Sequence, residues 1–187
     1  DPRGAVTFLL EKYGTLAEQM NFRGYWVSGW DLQPPTRFRL AEHLTAQGHR
    51  WRGGLQTVEI DPGCGVGNED EVPVVVRWAR PDGAIQRPLK ARVALYDQND
   101  NRIAQDDRRI LNDRHLAPGE WQPGDRPLNV YLVRPPTDLV PGVYTLRLLV
   151  YDAETLEPVE LVDEAGAPAG FEPVIGTLAW PARQPCQ

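Results

Sequence analysis

Serine is almost missing from this chain: Ser28 is the only one in 187 residues. Lysine is nearly as scarce, with Lys12 and Lys90 alone. A serine nucleophile therefore has one place to sit, in Trp26-Val-Ser-Gly-Trp30, which is not a Gly-x-Ser-x-Gly elbow. There is no basic surplus either. The formal charge is −6, so phosphates have little to pair with, and a nucleic-acid partner is not expected. No run of about 18 apolar residues exists to span a bilayer. No initiator Met and no signal-peptide pattern is present, and the opening Asp1-Pro-Arg-Gly reads as an excised domain or a processed form. Cys64 and Cys186 are the only cysteines, far apart and without a Cys-x-x-Cys, so they cannot make a zinc site alone. Two readings of them stand open. They bridge the C-terminal tail to the loop Asp61-Pro-Gly-Cys-Gly, worth about 4–5 kcal/mol in the chain-entropy model, or they are two thiols that never meet.

Catalytic and cofactor motifs are missing as well. His43, His49 and His115 show no zinc spacing. Gly63-Cys-Gly-Val-Gly67 lacks the Gly-Lys-Ser/Thr of a phosphate loop and does not join a strand to a helix. Asp97-x-Asn99-x-Asn101 resembles the start of a calcium loop. Arg102 stands at its glycine position, though, and Arg108 at its terminal glutamate position, so a polar hairpin turn is the better reading. No cofactor and no metal is expected.

What is present is a strand-rich pattern. Hydrophobic residues make up 41% and charged residues 25%, ordinary for a folded chain. The organising stretch is Leu139-Val-Pro-Gly-Val-Tyr-Thr-Leu-Arg-Leu-Leu-Val-Tyr-Asp152. After the Pro141-Gly142 turn, Tyr144, Leu146, Leu148 and Val150 alternate onto one face. Tyr144 opens the strand two residues after Gly142, where a tyrosine corner of a Greek-key sandwich bonds back to upstream backbone. Further strands are expected at about Leu55–Ile60, Val72–Ala79, Leu89–Tyr96, Arg102–Asp106, Leu128–Val133, Pro158–Val162 and Val174–Trp180. Short strands with turns at such spacing predict an immunoglobulin- or fibronectin-III-like antiparallel β-sandwich.

Before it the pattern reads as broken helix. Val6, Leu9, Leu10 and Tyr13 predict a helix from Ala5 to about Lys12. Thr15-Leu-Ala-Glu18 matches a capping box for a second, brief one. Tyr25–Asp31 is a strand or a packed loop. Thr36 to about Gln47 predicts a third helix, and His49–Gly54 a hinge-like linker. The expected division is 1–53, a helical, tryptophan-rich segment, and 54–187, the sandwich.

Six tryptophans remain. Trp78 and Trp180 lie in strand patterns and read as core. Trp26, Trp30, Trp51 and Trp121 are candidates for stacking on a sugar ring. The alternative is that they cover the junction between the N-terminal segment and the sandwich.

Trp121-Gln-Pro-Gly-Asp125, Val130-Tyr-Leu-Val133, Pro141-Gly-Val-Tyr-Thr-Leu146 and Leu149-Val-Tyr-Asp152 together carry a resemblance. So do Ala91-Arg-Val-Ala-Leu-Tyr-Asp97 and Arg102-Ile-Ala-Gln-Asp106. Over roughly Val72 to Trp180 the chain resembles the C-terminal extracytoplasmic β-sandwich of bacterial membrane glycosyltransferases similar to dolichyl-phosphate-mannose mannosyltransferases. The resemblance implies a non-catalytic, extracytoplasmic accessory domain. Its membrane association would run through a parent region, and its partner would be a glycan or lipid-linked sugar acceptor. That family's catalytic acids lie in the membrane part, so none maps onto this chain. The other expectation is a structural or protein-interaction module without a small ligand.

Overall fold

The computed structural model describes residues 1–33, 38–41, 43–63, 71–80, 85 and 87–181. The core is an antiparallel β-sandwich. One sheet has the order β12-β10-β7-β8, from β7 (Leu89–Tyr96), β8 (Arg102–Arg109), β10 (Gly142–Asp152) and β12 (Val174–Trp180). The other has the order β11-β4-β5-β6-β9, from β4 (Arg50–Trp51), β5 (Gln56–Asp61), β6 (Val72–Ala79), β9 (Leu128–Val133) and β11 (Leu161–Val162). The short β3 (Thr45–Ala46) also pairs with β5. Taking β5, β6 and β9 against β12, β10, β7 and β8, the order is that of a fibronectin-III-like sandwich, with Greek-key crossings from β6 to β9 and from β7 to β10.

Alternation drives the assembly. In β10, Tyr144, Leu146, Leu148 and Val150 are buried and the intervening side chains are half-buried. They meet Val74, Val76 and Trp78 of the opposite sheet in one apolar core. The Tyr144 hydroxyl donates to the carbonyl of Val140 at 2.8 Å, which makes the expected tyrosine corner. β6 is buried on both faces because its outer residue Val75, with Val130 and Leu132 of β9, packs under helix α1 (Ala5–Tyr13) through Ala5 and Phe8. Gly4 enters that helix at φ 71°, where a Cβ would lie 2.8 Å from the Val130 carbonyl oxygen. Only glycine fits so close an approach at that φ.

Three N-terminal expectations fail. Thr15–Glu18 is not a helix; it lies in strand β1 (Gly14–Phe22), which pairs with β2 (Tyr25–Leu32) as a hairpin. Of the helix expected from Thr36 to Gln47, residues 36, 37 and 42 lie outside the described residues, and the described remainder is extended or irregular. The expected linker His49–Gly54 contains β4, paired on both sides, and its Trp51 is fully buried. Thus β3 and β4, assigned to the 1–53 segment, belong to the sandwich sheet. Cys64 and Cys186 both lie outside the described residues. No helix among the described residues is long and apolar enough to cross a membrane.

Candidate docking surface

The hairpin β1–β2 turns at Arg23-Gly24, whose φ values of 49° and 86° are those of a two-residue primed turn. The Asn21 side-chain oxygen accepts the Gly24 amide at 3.3 Å and fixes that turn. Pairing then sets the faces. Phe22 stands opposite Tyr25 and Met20 opposite Val27, all four on one face. The other face carries Asn21 opposite Trp26, Gln19 opposite Ser28, and Leu16 opposite Trp30. A bulge between Leu16 and Glu18 brings Leu16 onto that face.

One face is therefore apolar toward the tip, the other sets Trp26 among polar Asn21, Gln19 and Ser28, and both are open. Exposure reaches 76% at Tyr25, 68% at Trp26 and 61% at Phe22. Met20, Val27 and Leu16 remain about half in water. The edges are open too: among the described residues the sheet has two strands only, so the outer backbone groups of both meet no third strand. A lone hairpin is marginal in water. One that exposes this much apolar side chain along two free edges has the composition of an inner piece of a larger sheet. The only charge near the tip is Arg23, whose guanidinium lies over the Phe22 ring at 5.3 Å.

The four candidate stacking tryptophans separate sharply. Trp26 is exposed and Trp30 is half-buried on the same hairpin face. Trp51 is fully buried, its ring 5.7 Å from that of Trp78, so it has no face to offer a ligand. Trp121 is buried as well, and its indole N–H donates to the Leu116 carbonyl at 2.9 Å. The turn around it is closed by Asp125, which accepts from the Asn112 side chain and the Gln122 amide at 2.9 and 3.0 Å. The Trp-Gln-Pro-Gly-Asp motif thus builds a loop. Of the core assignments, Trp78 is fully buried and Trp180 packs against the core.

Met20 and Phe22 follow the brief helix that the Thr15–Glu18 capping box predicts, and Tyr25 and Val27 fall in the stretch that reads as strand or packed loop, so the pairing that joins the four is not predicted. The signal available was Arg23-Gly24 flanked by Met20-x-Phe22 and Tyr25-x-Val27, a hairpin pattern of alternating apolar residues about a turn.

The Ser28 hydroxyl oxygen accepts a hydrogen bond from the Gln19 side-chain amide at 3.4 Å. Asp97 accepts from the Asn99 and Asn101 amides and from the Asn101 side chain, at 2.8–3.0 Å, so the calcium-like stretch is a self-capped turn. Those bonds, the Asn101 side chain first, hold its carboxyl below the usual range. Burial and a bond to Glu172 push the Tyr96 hydroxyl up. No cluster of three His, Cys, Asp or Glu fit to hold a metal occurs among the described residues. Comparison with protein-family models and with curated proteins found no match to this chain.

Proposed function

We propose that this chain is a non-catalytic docking module that binds another polypeptide through the β1–β2 hairpin. The single observation that carries this is the hairpin's double exposure: an apolar face, an opposite face bearing the open Trp26 ring, and two edges that meet no third strand among the described residues. A flat surface covers one face only. Hydrocarbon covers both but leaves the edge amides and carbonyls unsatisfied. A partner polypeptide supplies both, with a strand against an edge and apolar side chains over the faces. Tyr25 and Trp26 alone, 76% and 68% exposed, present about 300 Å² together, a fair share of one side of a standard interface.

The motif resemblance supports placing this module outside the cytoplasm, as an accessory domain of a membrane glycosyltransferase-like protein. A second reading, contact with that protein's glycan or lipid-linked acceptor, is favoured by one observation. Trp26 and Trp30 share a face with polar Ser28 and Gln19 between them.

A photoreactive residue at Tyr25, activated in the source cells, separates the two. The docking reading expects a covalent adduct to a polypeptide, mapped to one contiguous segment and lost in Trp26→Asp. An adduct to glycan alone, with oligosaccharide-dependent fluorescence from Trp26, overturns docking in favour of the second reading.

A further inference from the structure

A second site lies away from the hairpin, on the outer face of the other sheet. β4 runs between β11 and β5, and Arg50 pairs with Val162 on one side and Gln56 on the other. Trp51 points into the core, so by alternation the row Val162–Arg50–Gln56 faces outward. The loop after β11 rises beside this row and encloses a groove of about 590 Å³. The loop is held in place: the Asp163 side chain accepts the Ala167 amide at 2.8 Å, the Leu161 amide donates to the Gly170 carbonyl at 2.7 Å, and the Ala169 amide donates to the Leu161 carbonyl at 2.9 Å. The groove is therefore formed before any ligand arrives. Phe171 forms part of its wall with 46% of its surface open.

The polar groups here are unspent. Arg50, Gln56 and Glu164 make no side-chain hydrogen bond or ion pair among the described residues, and the buried Nε2 of His49 has no partner. We propose that this groove binds a neutral saccharide. One sugar ring lies on Phe171, with its hydroxyls bonded by Arg50, Gln56 and Glu164.

Three features select that chemistry. First, an open aromatic ring beside uncommitted donors and acceptors matches a ligand with an apolar C–H face and a polar rim. Second, the charge is mixed, with no cationic surplus. Glu172 is taken by Arg92 and the Tyr96 hydroxyl at 3.2 and 3.0 Å, which leaves Arg50 set against Glu164 and Asp163. Burial keeps His49 below its ordinary range, so it adds no cation at neutral pH. An anionic ligand would meet Glu164 and Asp163 as well as Arg50. Hydroxyls, which both donate and accept, suit the mixed set. Third, no strand edge is free for a peptide. β4 is paired on both sides, and the outer edge of β11 is closed by its own loop through Val162 and Pro168.

The test is a titration of the whole chain with maltotriose, mannotriose and chitotriose, followed by amide shifts. The expected result is saturable movement at Arg50, Gln56, Glu164 and Phe171 with at least one of the three. Affinity should fall about fivefold or more in Phe171→Ala, the loss of one stacking contact. Arg50→Ala and Glu164→Gln should weaken it too, and Trp26→Ala should leave it unchanged. If Phe171→Ala alters the fold, the other two groove variants carry the reading. Absence of saturable shifts with all three sugars overturns the proposal. So do equal affinities in the groove variants, or shifts confined to the hairpin, which would place the sugar on Trp26.

Discussion

Trp26 and Trp51 carry the same side chain to opposite fates, and the difference is measurable. Trp51 is fully buried against Trp78, so Trp51→Ala removes core volume that the sheet cannot refill and should cost about 3–5 kcal/mol in denaturant unfolding. Trp26 is 68% exposed and outside the core, so Trp26→Ser should change stability by less than about 0.5 kcal/mol while removing the docking contact. Three aspartates give a second residue-scale test. The Asn101 side chain holds Asp97 below the usual carboxylate range. The Asn112 side chain does the same for Asp125, and the Thr155 amide for Asp152. The unfolded chain therefore binds protons that the native one refuses. Their contribution is fully present above the unfolded value of about 3.9 and is lost as pH falls through the lower native values. An acid titration of stability should show a falling limb below about pH 4, shallower in Asp125→Asn.

At the scale of elements, the strands with one buried face were legible. β6, β7, β9 and β12 span the expected residues because period-two alternation, or an unbroken apolar run under α1, leaves one register that buries the apolar set. The same logic gives the strongest element-level test. Leu148→Ala should cost about 2–5 kcal/mol, because Leu148 sits at the centre of β10 with no exposure. Tyr144→Phe, which removes only the bond to Val140, should cost about 1 kcal/mol. The N-terminal elements were not legible, for a physical reason. Thr15 and Glu18 satisfy a local capping rule, but Arg23-Gly24 closes a turn that pairs both flanks as strands, and cross-strand pairing outweighs one short helix. Trp51 was misread because β4 is two residues long amid glycines, and pairing partners distant in sequence make it a strand. Half of the candidate stacking set, Trp51 and Trp121, is core for similar reasons. Burial by distant elements leaves no local trace.

On the scale of the whole molecule, a well-packed sandwich carries one element that its own core does not cover. α1 is anchored on β6 and β9, and the hairpin that follows it extends away with its tip side chains in water. Stability should be divided accordingly, with slow opening in β7 and β10 and easy opening in β1 and β2. Amide hydrogen exchange, on the chain alone and then with the polypeptide captured at Tyr25, tests the docking claim most directly. Alone, the hairpin amides should exchange far faster than those of β7 and β10. With the partner bound, alternate amides along one outer edge of β1 or β2 should become protected, as an added strand requires. Hairpin amides that are already as slow as β7 in the isolated chain, or that stay fast with the partner bound, would contradict the account.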